Sequence, residues 1–150
     1  MIDNSQTKLS VFSLFAFVCL LASNGYAAED VNKSANQVAI KGYDAVAYFK
    51  QGQPVQGNAK YTHEWMNAKW YFSNDEYLRE FSAQPEAFAP QYGGFCAFAM
   101  SKGQKADTDP KAWTIYDGKL YLNYNQQVKS MWQQNKNANI QKADGYWRQI

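Results

Sequence analysis

Asp117-Gly118 stands between two stretches of alternating character, Trp113-Thr114-Ile115-Tyr116 and Lys119-Leu120-Tyr121-Leu122-Asn123-Tyr124. Asp and Gly both tolerate positive φ, which a two-residue hairpin turn requires, and such a pair between alternating runs is a strong local signal. It commits the chain to antiparallel pairing. A second hairpin is expected over 61–72, with residues 66–69 as its turn and Trp70-Tyr71-Phe72 as the returning strand. Helix signals follow each hairpin. Ser73 and Glu76 have the spacing of a capping box, ahead of Tyr77, Leu78 and Phe81 at helical intervals. Pro85 ends that helix or opens another. Asn125 is a fitting cap for a helix through Val128, Met131 and Trp132, broken at 135–139 and followed by a last helix through Ile140, Ala143, Tyr146 and Trp147. Upstream, 38–40 reads as a short strand or edge, and 42–49 as a turn and a strand, because Val46, Tyr48 and their aromatic neighbours favour extended backbone. Residues 50–60 and 103–110 read as loops. The order predicts an α+β domain: a small antiparallel sheet with hairpins, packed against several short helices. No internal repeat and no interior linker is visible.

Residues 1–27 have the pattern of a secretory signal. Lys8 precedes a nearly all-apolar run over 9–22, and Gly25-Tyr26-Ala27 offers small residues for cleavage after Ala27. The run is short for a membrane span, which takes roughly 20 residues. Cys19 follows Ala16-Phe17-Val18, without the small residue that lipid attachment needs, so no stable membrane anchor is expected. A periplasmic or secreted protein is the expectation, with a polar mobile arm at 28–37 and one domain at 38–150. Cleavage would remove one lysine and one aspartate and leave the net charge at +2. That near-balance speaks against nucleic acid, whose phosphates need a clustered basic face.

Cleavage also leaves Cys96 without a second cysteine, which in an oxidising compartment predicts a thiol that is buried, metal-bound or paired with another molecule. It lies in Tyr92-Gly93-Gly94-Phe95-Cys96-Ala97-Phe98-Ala99-Met100. Gly93 and Gly94 allow close approach by another chain or a ligand. If 95–102 is helical, Cys96 and Met100 share a face. Thiolate and thioether are soft and select Cu(I), and imidazole suits it as well, so Cys96, Met100 and His63 form the candidate metal set. The competing expectation for Cys96 is a small buried hydrophobe. Tyr43, Asp44, Tyr92, Gly93, Gly94 and Cys96 are the candidate ligand-binding set. Tyr48, Trp65, Trp70, Trp113 and Tyr124 are further candidate cleft residues, since aromatic walls with a few polar groups describe many small-ligand sites. No acidic pair has general acid–base spacing, and Gly93-Gly94 lacks the Lys-Ser/Thr of a phosphate loop.

Four segments together resemble the YHS domain family, in its small exported single-domain members: Gly42-Tyr43-Asp44-Ala45-Val46-Ala47-Tyr48-Phe49, Trp70-Tyr71-Phe72-Ser73 with the helix to Phe81, Tyr92-Gly93-Gly94-Phe95-Cys96-Ala97, and Asp117-Gly118-Lys119-Leu120-Tyr121-Leu122-Asn123-Tyr124. The resemblance spans 38–150 and puts the name-giving residues at Tyr61, His63 and Ser73. YHS modules attached to copper-transporting pumps resemble metal-binding modules and carry cysteines. Here the matching positions are Ala47, Ser73 and Tyr77, so that metal expectation does not carry over.

These readings converge on a non-enzymatic binding domain for a metal ion, with copper as Cu(I), or for a small ligand. Two others stay open: a thiol-dependent enzyme using Cys96 and His63, which needs an activated thiolate, and an interaction module without a small-molecule site.

Overall fold

The computed structural model describes residues 30–150. The signal segment, its cleavage site, Cys19 and the first two residues of the expected arm lie outside that range. Among the described residues, six α-helical segments and two antiparallel hairpins make an α+β fold, as expected. The hairpins form two separate two-stranded sheets, β1 (Asn58–Trp65) with β2 (Ala68–Phe72), and β3 (Asp109–Tyr116) with β4 (Lys119–Asn123). The short helices are α1 (Ala47–Lys50), α3 (Pro85–Phe88) and α4 (Ala97–Met100). The longer ones are α2 (Asp75–Ala83), α5 (Gln126–Gln134) and α6 (Lys136–Trp147).

Asp117-Gly118 makes the expected turn, with φ of 50° and 69°. Pro85 opens α3, where its missing N–H costs nothing in a first turn. Asn125 caps α5 by accepting from Val128 N–H at 2.8 Å. Other expectations fail. The cap of α2 is Asn74, which accepts from Tyr77 N–H at 2.9 Å, because Ser73 is drawn away to Asp44. The break after α5 is confined to Asn135, since α6 starts at Lys136. The strand expected within 42–49 is instead a left-handed turn over Ile40–Gly42, all three residues at positive φ, followed by α1. Asp44 imposes this: its Oδ1 accepts from Val46 N–H at 2.9 Å and Ala47 N–H at 3.2 Å, a local cap that overrides the extended preference of the side chains. The segment expected as a mobile arm is docked from Asp30 on, with Val31 buried and Lys33 bridged to Ala39.

The fold also holds a repeat that the residues concealed. In each half, an eight-residue strand pairs with a five-residue strand and runs into a nine-residue helix capped by asparagine. Both long strands slip register after their first pair, Asn58–Phe72 and Asp109–Asn123. The carboxamide of Asn58 and the carboxylate of Asp109 make the same bond, accepting from Lys60 N–H at 2.8 Å and Lys111 N–H at 2.9 Å. Each unit is preceded by three successive residues at positive φ and a short helix. The angles are 43°, 52° and 80° over Ile40–Gly42, and 58°, 59° and 81° at Tyr92, Gly93 and Gly94. Gly42-Tyr43-Asp44-Ala45-Val46-Ala47-Tyr48 thereby matches Gly94-Phe95-Cys96-Ala97-Phe98-Ala99-Met100. Asp44 answers Cys96, and Tyr48 answers Met100.

Two apolar clusters fill the interior. One gathers Val46, Tyr48, Trp70, Phe72 and Phe81 with Leu120 and Leu122, so the second hairpin packs into the first half's core. The other holds Tyr92, Met100, Tyr121, Trp132 and Ala143 under α6.

Candidate functional site

Cys96 is 1 % exposed, immediately before α4. Its thiol donates to Asn123 Oδ1 of β4 at 3.6 Å, and the same oxygen accepts from Phe98 N–H at 3.2 Å. Met100, one turn on, is fully buried in the second cluster. His63 lies elsewhere, in β1 opposite Trp70, with its ring 6.1 Å from Phe81. Among the described residues no three His, Cys, Asp or Glu side chains form a group able to hold a metal ion. Of the soft set, the Cys96 thiol is engaged by Asn123, the Met100 thioether lies in the second apolar cluster, and His63 stands on β1 against Phe81 of the first. The chemical setting of Cys96 matches the buried small hydrophobe. Its one side-chain hydrogen bond goes to a carboxamide oxygen rather than to an imidazole.

Asp44 is completely buried, and its two oxygens accept four hydrogen bonds. Besides Val46 and Ala47 N–H, the Ser73 N–H and hydroxyl both donate to Oδ2 at 2.7 Å. With its acceptor capacity spent on its own chain, Asp44 is a joint between α1 and the β2–α2 junction rather than a ligand-binding group. Tyr43, half-buried, is bridged to Gln56. The close approach that Gly93 permits is taken by the chain itself. A Cβ there would lie 1.9 Å from the Asp30 carbonyl oxygen, and Asn32 N–H donates to Gly93 C=O at 2.8 Å. Gly94 is buried, and its carbonyl accepts from Thr108 at 2.9 Å. Tyr48 donates to Pro110 C=O at 2.8 Å and stacks against Trp113, while Tyr124 is 57 % exposed.

A concave site lies beside Gly93, in a cleft of about 230 Å³. Trp65 and Trp70 form one wall, their ring centroids 5.7 Å apart and tilted by 56°. Tyr92 and Trp147 form another, 6.2 Å apart and nearly perpendicular at 72°. Val31, Ala89 and Pro90 add apolar surface, and Asp30 and Glu86 supply carboxylates. The polar atoms of two wall residues are used up within the protein: Trp70 Nε1–H donates to Trp65 C=O at 3.0 Å, and Tyr92 O–H donates to Asp144 at 2.9 Å. Burial first, then that bond to Asp144, raises the Tyr92 phenol above its ordinary pKa, so it stays neutral. Met66, also in the lining, sits at φ 51° in the turn between β1 and β2, an uncommon backbone conformation for a residue other than glycine.

Three of the aromatic residues expected to line a cleft, Trp65, Trp70 and Tyr92, do so together. Trp147, Glu86, Met66 and Asp30 were not expected there. Only the aromatic character of Trp147 hinted at it, since the turn of α3 and the end of α6 meet through tertiary packing alone. Comparison of the chain with protein families, with curated proteins and with solved structures finds no match.

Proposed function

We propose that this chain is an exported, non-enzymatic, YHS-like binding domain whose ligand is a small organic molecule held in the cleft of Trp65, Trp70, Tyr92 and Trp147. The observation that carries this reading is the convergence of four aromatic rings on one concavity, with the hydrogen-bonding atoms of Trp70 and Tyr92 satisfied within the protein. Its volume of about 230 Å³ falls below the roughly 300–1,000 Å³ of drug-sized sites, which favours a compact metabolite.

The test is a screen of small fragments against the 15N-labelled chain, read on its five indole N–H signals. Trp113 and Trp132 lie outside the cleft and serve as internal references. Binders should move Trp65, Trp70 and Trp147 and leave the references in place. A screen without binders, or with binders that move only Trp113 or Trp132, overturns the reading. Export is checked by the mass of the protein recovered from the periplasm or medium, where residues 1–27 should be missing; an intact N-terminus contradicts it.

A further inference from the structure

We propose that the ligand class of this cleft is a small alkylated ammonium cation, an inference that rests on the small-ligand reading above. The walls decide the chemistry. Indole and phenol faces are electron-rich and attract a cation set against them, most strongly where water is excluded. Here the inclined pair Trp65 and Trp70 and the nearly perpendicular pair Tyr92 and Trp147 all line one volume. The walls of Trp70 and Tyr92 have no free donor or acceptor to offer, because the Trp70 indole N–H and the Tyr92 hydroxyl are bonded within the protein. A primary ammonium entering between them would leave N–H groups unpaired, whereas methyl groups on nitrogen need no partner.

The charges at the rim agree. Asp30 and Glu86 are the ionisable side chains there besides the neutral phenol of Tyr92. Asp30 is paired with Lys105 at 3.4 Å. Among the described residues Glu86 has no salt-bridge partner, which leaves one carboxylate at the mouth to balance one positive charge. The protein already illustrates the attraction. Lys105 Nζ lies 5.7 Å from the centre of the Trp147 ring and 5.5 Å from that of Phe95, beside the carboxylate of Asp30. An anion would meet Glu86 and Asp30 and be repelled.

The experiment compares choline with 3,3-dimethylbutan-1-ol, which has the same shape with carbon in place of the charged nitrogen. Both are titrated into the 15N-labelled chain and followed on the indole signals. Choline should move Trp65, Trp70 and Trp147, and the alcohol should need a roughly tenfold higher concentration. Glu86→Gln, an exposed substitution that leaves the fold intact, should weaken choline several-fold and leave the alcohol unchanged. Equal binding of the two compounds, or insensitivity of choline to Glu86→Gln, overturns the cation inference while the cleft remains a ligand site. Fragments that bind the cleft when choline does not have the same meaning. A chain to which neither these compounds nor any fragment binds overturns both readings.

Discussion

The two halves of the molecule build one backbone with different chemistry at the same joint. In the first, the side chain ahead of the short helix, Asp44, reaches across to the end of the hairpin and accepts from Ser73. In the second, the reach runs the other way: Asn123, at the end of the hairpin, accepts from Cys96 and Phe98 N–H. The Asp44 joint is saturated. The Asn123 joint leaves its Nδ2 buried without a partner, and Trp132 Nε1 has none either, at the position where the first half places Phe81. A strand–turn–helix unit of this kind needs an acceptor at the helix start, and either element can supply it. The halves differ in how completely the remaining donors are satisfied.

The largest break in that symmetry should come from Asp44→Ala. It strands the N–H groups of Val46, Ala47 and Ser73 in the interior, at about 1–3 kcal/mol for each buried donor left without a partner. A loss of at least about 3 kcal/mol is expected from urea unfolding with the slope unchanged. Cys96→Ala, at the matching place, should cost only about 1 kcal/mol, because a weak thiol donor and one sulfur are removed. Equal losses would dissolve the contrast.

Gly118→Val comes next. Nothing stands within 4 Å of the position its Cβ would take, so the cost is conformational: a β-branched residue at φ 69° should lose about 1–3 kcal/mol. The first hairpin makes its turn without glycine, at Met66 and Asn67 with φ of 51° and 54°. Gly118→Asn should therefore be nearly neutral. An unchanged unfolding midpoint for the valine variant would show that this turn is not a constraint.

The smallest effect separates Tyr48 from Met100. Burial first, and then the neighbouring charges of Tyr43, Asp109 and Asp44, raise the Tyr48 phenol above its ordinary value of 10.0. The group's contribution is fully present below pH 10.0 and is lost as pH rises above it, because the unfolded chain releases the proton first. Met100 has no proton to lose. Tyr48→Phe should cost about 1 kcal/mol at neutral pH, through the lost bond to Pro110, and should flatten the decline above pH 10. Parallel stability–pH curves for variant and parent would exclude the phenol as a source of alkaline sensitivity.

Sequence made the second hairpin and its Asn125-capped helix legible, because both signals act within a few residues. The cap of α2 was misplaced by one residue. Ser73, Asn74 and Asp75 all suit such a position, and the choice is made by Asp44, distant in sequence. The strand expected within 42–49 failed for the same reason in reverse: the β preference of Val46 and Tyr48 is weaker than a buried carboxylate capping their amides. The repeat stayed hidden because the halves share φ/ψ values rather than residues, with Trp65 facing Tyr116 and Phe81 facing Trp132 in the alignment. Of the cleft, the aromatic residues of the first hairpin and Tyr92 were legible as types. Their meeting with Glu86 and Trp147 was not, because nothing local encodes which loop covers which helix end.

The notch at Gly93 has a consequence for when the cleft exists. Asp30 and Val31 reach it through a backbone seam, Asn32 to Gly93, and Trp147 reaches it from the far end of α6. Residues near the beginning and the end of the described chain thus meet across its middle. A partly folded intermediate holding both hairpins would still lack two sides of the cleft. Occupancy of the cleft would therefore report that the described residues have closed on one another, and any molecule bound there acts as a clasp between Asp30 and Trp147.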